Sequence, residues 1–228
     1  LQKLAIEVTK KFNVKIDESD SKRAVDIDNL TNDQIIEISN FYANLTTELA
    51  KLVGKENHPH IDQDAIEYSK QIAKEYEKRG TSPSTDGHLP YSVKKPIEKR
   101  NGLYEDSENL ATLLGSIHAT NMFGLKQSVV TAFSMYSFFD KESKWGHLAS
   151  NLNAKNSVAM TVANINGEHW FVNTFASETK QPINLNQDLT QLEANLAEAQ
   201  KQNSQAQTAL TNAKAELAEA SRKYASAL

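Results

Sequence analysis

WGHLASNLNAKNSVAMTVANINGEHWFVNTF, residues 145–175, decides the fold. Asn166-Gly167 stands between two apolar-rich, alternating segments. Asn-Gly is the strongest short hairpin signal, because a type I′ turn needs φ > 0 at two successive residues and both of these tolerate it. Val158–Asn164 is therefore expected to pair antiparallel with Glu168–Phe175. Upstream, Leu148 to Asn153 reads as a polar helical turn, and Trp145-Gly146-His147 opens the stretch. His147 thus sits at the entrance to an antiparallel ribbon.

Working outward, the spacing predicts helices on both sides. Leu125 to Phe139 places Val129, Ala132, Phe133 and Tyr136 on one helical face. Thr31 or Asn32 can cap a helix that buries Ile35, Ile38, Phe41, Leu45, Leu49 and Leu52, with Gly54 closing it. After the His58-Pro59-His60 turn, Asp62 can cap a second helix with Ala65, Ser69, Ile72 and Tyr76 on a shared face. GTSPSTDG (80–87) is loop by composition. Residues 102–111, GLYEDSENLA, fit a strand or a strand-to-helix entry, and the charged run Lys94–Arg100 fits a solvated face. Asn13–Asn29 reads as a polar connection, and Leu1, Leu4, Val8 and Phe12 form one helical stripe before it.

The chain has 228 residues and a net charge of −4, so nothing favours electrostatic capture of nucleic acid. Cysteine is absent, which removes thiol catalysis, disulfides and thiolate metal sites. No stretch approaches the ~18 apolar residues of a membrane span. Because Leu1 falls within a helical pattern, the chain reads as part of something longer.

Beyond Pro182 neither Gly nor Pro occurs. From Leu185 through Leu189, Leu192, Leu196, Ala199, Asn203, Ala206, Leu210, Ala213, Leu217, Ala220 and Tyr224 to Ala227, apolar or small residues alternate spacings of four and three. That heptad pattern predicts a coiled-coil stalk extending about 65 Å, with Asn203 at a seam position that fixes register. The Leu1–Phe12 stripe is an intrachain partner for it, and a homodimer is the alternative. The expected division is a stalk helix and connection (1–30), a globular domain (31–180) and a stalk (181–228).

Ser107-Glu108-Asn109-Leu110-Ala111, Trp145-Gly146-His147 and His169-Trp170-Phe171-Val172 occur in the order of the motifs of the CAP superfamily, which this region resembles. That family comprises the cysteine-rich secretory, antigen-5 and pathogenesis-related-1 proteins. The resemblance covers about Thr31 to Ala176. It implies an α+β fold: a CAP-like α-β-α sandwich with a small antiparallel sheet, here flanked by coiled-coil helices, and a cleft lined by two His and one or two Glu. FFDKESKWGH (138–147) and the heptads together are similar, more narrowly, to the surface exclusion proteins of Gram-positive conjugative plasmids. Those are wall-anchored, stalked proteins that limit redundant plasmid transfer between cells.

Carried over by position, Glu108 matches the Glu of the first motif, with Ser107 in place of its Gly, and His147 matches the cleft His. For the other His, the local match SPSTDG places Gly80 where the imidazole belongs, and His88 is the substitute. The second family Glu belongs near Met135–Ser137, where none occurs; Asp140 and Glu142 are nearest. The candidate catalytic set is His88, Glu108, His147 and Glu142, with His88 and His147 as zinc ligands and Glu108 as general base or imidazole anchor. The structural alternative makes Glu108 a buried carboxylate bonded to backbone or to His147. His118 and His169 have no evident partner, and Trp145 and Trp170 read as core or cleft-wall aromatics. The implied functions are a binding or steric head limiting cell–cell contact, a CAP-type peptidase trimming a surface adhesin, or a small-molecule or lipid carrier. The implied setting is the wall-anchored surface of a Gram-positive bacterium, with an adhesin or cell-wall component as partner.

Overall fold

The structure, a computed structural model, describes residues 14–112, 119–177, 196–198 and 200–214. The chain divides into two compact units, Leu1–Ile183 and Asn184–Leu228. In the first, helix α1 (Asn32–Leu52) begins at a reciprocal capping box. The Thr31 hydroxyl accepts from the Gln34 amide at 3.2 Å, and the Gln34 side chain accepts from the Thr31 amide at 3.0 Å. Ile35, Ile38, Phe41, Leu45 and Leu49 are buried as their spacing requires, whereas Leu52, in the last helical position, is 61% exposed. Helix α2 (Gln63–Arg79) starts after Asp62 without a side-chain cap; the Asp62 carboxylate lies instead 3.2 Å from His60 Nε2. It ends at Gly80, whose left-handed conformation turns the chain away.

Helix α3 (Tyr91–Asn101), strand β1 (Tyr104–Thr112), helix α4 (Met122–Phe138), helix α5 (Gly146–Asn153) and strands β2 (Ser157–Ile165) and β3 (Glu168–Ser177) follow. The strands form an antiparallel sheet in the order β1-β3-β2. Asn166 and Gly167 have φ of 53° and 88°, the two positive values the turn demands, and Ile165 faces Glu168 across it. The Asn166 amide also donates to the Gly80 carbonyl at 2.6 Å, pinning the hairpin tip to the end of α2.

Side chains alternate across the sheet and bury both faces. Val158, Met160, Phe171 and Phe175 join α1 and α4 in one apolar cluster, with Tyr42 edge-on to Phe133 and Phe175. On the opposite face α2 packs against β2 and β3, and α3 packs on α2. This is an α-β-α sandwich.

Residues 14–30 are more than a connection. Val14 is buried in the core, with Ile16, Val25, Ile27 and Leu30 packed against it. Val25 donates to the Thr120 carbonyl and Met122 to the Arg23 carbonyl, both at 2.9 Å. Lys126 sits between Asp20 (2.7 Å) and Glu37 (2.6 Å), and Arg23 bridges the same two carboxylates. The polar residues that make this segment look like a linker are the ones that clamp it.

In the second unit, residues 196–198 and 200–214 are helical, every one of them exposed. Leu196 and Leu210 of the heptad seam are 59% and 55% exposed. Asn203, Ala206 and Ala213 of the seam are exposed as well. Its other positions, together with the Leu1–Phe12 stripe and His118, lie outside the described residues.

Candidate functional site

The site grows from β1, and from one irregularity in it. Glu105 and Glu108 are three residues apart and in a regular strand would face opposite ways. The register slips by one residue between Glu105 and Ser107, a bulge that turns both carboxylates to the α2–α3 face. There they share Lys94 of α3, whose Nζ lies 2.6 Å from Glu105 Oε1 and 2.8 Å from Glu108 Oε2. Tyr68 donates to Glu105 Oε2 at 2.7 Å and Tyr76 to Glu108 Oε2 at 2.9 Å, both from α2. His88 Nδ1 completes the set, 2.6 Å from the same Glu108 oxygen. Glu108 Oε1 is buried with no hydrogen-bond partner among the described residues.

The adjacent residue, Asn109, faces the other layer. Its amide donates to the His147 carbonyl and to Asn151 Oδ1, each at 3.3 Å, and Tyr42 donates to that same Asn151 oxygen at 2.7 Å. His147 Nδ1 is held 2.6 Å from Asp140 Oδ1, while Asp140 Oδ2 accepts from the Leu148 amide at 3.0 Å. The Tyr136 ring tilts against the His147 ring with centroids 5.2 Å apart, and its buried hydroxyl has no hydrogen-bond partner among the described residues.

Charge follows from these contacts. Burial pushes Glu108 upward, but the His88 hydrogen bond and the Lys94 ammonium outweigh it and hold the carboxyl below the ordinary range. Burial and the Glu108 charge raise Glu105, against the pull of Lys94. Burial raises Asp140 too, yet the Leu148 amide, the His147 hydrogen bond and the Ser143 hydroxyl bring it below the usual value. Burial first, then the repulsion that an ionised Tyr42 or Glu108 would exert on a second anion, keep Tyr136 protonated.

Of the candidate residues, His88 and Glu108 meet directly. His147 pairs with Asp140, not with Glu108. Glu142 is exposed in the turn after α4 and has no part in these contacts; the buried carboxylate two residues earlier, Asp140, holds the imidazole. Lys94, placed on a solvated face by its charged neighbours, is only 7% exposed. Trp170 is buried as a core aromatic, whereas Trp145 is 46% exposed. Glu105, Tyr68, Tyr76 and Tyr136 were not singled out as site residues by their sequence context. The one available signal was the Tyr68, Ile72, Tyr76 stripe, which puts two phenols on one face of α2.

These residues do not fit a catalytic zinc centre. Such a site takes three protein ligands, and among the described residues no three His, Cys, Asp or Glu side chains form a group that could hold a metal ion. Around Glu108 the cation is supplied by Lys94. Nor, among the described residues, does any hydroxyl nucleophile hydrogen-bond to either imidazole. A carboxylate held below its ordinary pKa is also a weak general base.

The fold is that of a CAP domain. The structure matches the CAP domain of enterococcal PrgA with a TM-score of 0.59 and 20% identity, over 81% of this chain and 78% of that one. No family model matches the sequence, and no curated protein does.

Proposed function

We propose that this chain is the CAP-like head and part of the stalk of a surface exclusion protein, wall-anchored on a Gram-positive bacterium, that limits cell–cell contact in conjugation by binding or steric hindrance. Its partner is a cell-surface adhesin or a cell-wall component, and the heptads past Pro182 form the stalk, within one chain or between two. The observation that carries the choice of binding over hydrolysis is the crowding of one Glu108 oxygen, Oε2. That oxygen takes Lys94, Tyr76 and His88 together, so the carboxylate is held ionised against a fixed cation and is a weak general base. The likeness in fold to the PrgA CAP domain, added to the heptads and FFDKESKWGH, supports surface exclusion as the setting.

The test is a mating experiment with recipient cells that display this chain. The reading expects fewer transconjugants than with recipients that lack it; equal transfer into both overturns it. The oriented Asp140–His147 pair favours a second reading, a CAP-type peptidase that trims an adhesin. Cleavage of a displayed adhesin that disappears in His147→Ala would select that one.

A further inference from the structure

On the His147 layer, a cleft of about 210 Å³ lies between α5 and the ends of β1 and β2, and neither imidazole lines it. We propose that it is a carbohydrate subsite that takes one ring of a neutral, polyhydroxylated glycan. Its volume is below the ~300 Å³ at which drug-sized pockets begin, which suits a single sugar ring. Its lining is mixed: Asp106, Ser107, Asn153, Lys155 and Asn156 supply polar groups, and Ala149, Ala154 and Phe175 supply apolar surface. One carboxylate, Asp106, and one ammonium, Lys155, line the cleft, so its wall carries no excess of either charge. Phe175 is only 2% exposed, so there is no deep apolar hole to anchor a peptide side chain. Hydroxyl and amide groups that donate and accept are what a ring of hydroxyls matches.

The neighbouring chain supplies an aromatic surface. Trp145, next to the cleft-lining Gly146, is 46% exposed and adopts φ 64°, with Lys144 before it at 54°. Two consecutive non-glycine residues in the left-handed region are costly, and such strain persists where surrounding structure enforces it. Here the Trp145 amide donates to the Asp140 carbonyl at 3.0 Å, and the Asp140 carboxylate holds His147 and Leu148. Asp140 thus anchors the turn that carries the exposed Trp145, one residue from the cleft wall. This site stands whether or not the chain excludes donors.

Gly146 provides a clean test. A Cβ built there meets nothing within 4 Å, and Gly146 lines the cleft, so Gly146→Leu adds bulk at its wall. Amide NMR of the labelled full chain is followed during titration with chitotetraose, with cellotetraose, and with a neutral tetrapeptide as control. Saturable shifts with at least one sugar are expected, confined to residues 106–107 and 145–157. Trp145→Ala and Gly146→Leu, each with an otherwise unchanged spectrum, should weaken binding about tenfold or more, which is about 1.4 kcal/mol. No saturable shift with either sugar, shifts centred on His88 and Glu108, undiminished binding in Gly146→Leu, or equal binding of the tetrapeptide would each overturn the proposal.

Discussion

The two imidazole–carboxylate pairs differ in what surrounds them. His88 is bound to a Glu108 carboxylate that is 1% exposed and already shared by Lys94 and Tyr76, while the His88 side chain is itself 47% exposed. Remove that imidazole and the carboxylate keeps a cation. His147 is 25% exposed, lies against Tyr136, and is the sole imidazole on an Asp140 whose other oxygen caps a backbone amide. Here the carboxylate orients a loop, and the imidazole is part of that loop's frame. One half is a buried charge cluster, the other a positioned turn. Superficial likeness in donor and acceptor therefore does not imply shared chemistry.

The sharpest way to break this contrast is at Lys94. Lys94→Met leaves Glu105 and Glu108 buried without their cation, and losing one partner of a buried ion pair costs about 3–5 kcal/mol. Urea unfolding should register that loss; a change under 1 kcal/mol would mean the cluster is solvated. On the other half, Asp140→Ala removes charged acceptors from His147 and Leu148 and should cost about 1.5–3 kcal/mol. Its distinguishing readout is Trp145 fluorescence, which should shift because the turn loses its anchor.

Acid titration sharpens the comparison. Glu108 and Asp140 are both held below the ordinary carboxylate range, so the native state favours their ionised forms. Their contribution is complete above that range and is lost as pH falls through the lowered values. Glu105 has the opposite sign: its raised pKa means that its ionisation costs stability as pH rises through that value. Urea midpoints followed downward from neutral pH should decline in the wild type and decline less in Asp140→Asn. Glu105→Gln should leave a steeper acid decline than the wild type. The smallest effect belongs to His88→Gln, about 0.5 kcal/mol for one hydrogen bond to a half-exposed side chain.

Much of this architecture is local and so can be read from the chain. The Asn166-Gly167 turn requires two positive φ values at neighbouring residues, and only a few residue types provide them. The Thr31–Gln34 box and the 3.6-residue stripes of α1, α2 and α4 are equally local. The bulge after Glu105 is different, because a register slip belongs to a pair of strands and leaves no mark on one of them. Without it Glu105 and Glu108 fall on opposite faces, and Lys94 looks like one more charge in a basic run. The choice between Asp140 and Glu142 is illegible for a related reason: which carboxylate reaches His147 depends on how the turn closes. Leu52 continues the apolar stripe by spacing, but the helix ends there and leaves it in solvent.

The central claim is that this head acts by binding, with its imidazoles serving structure. It is tested most directly by transfer frequency into recipients that display His88→Ala/His147→Ala, with folding and surface density matched to wild type. Exclusion equal to wild type is the predicted result. A folded, fully displayed double variant that no longer excludes would contradict it.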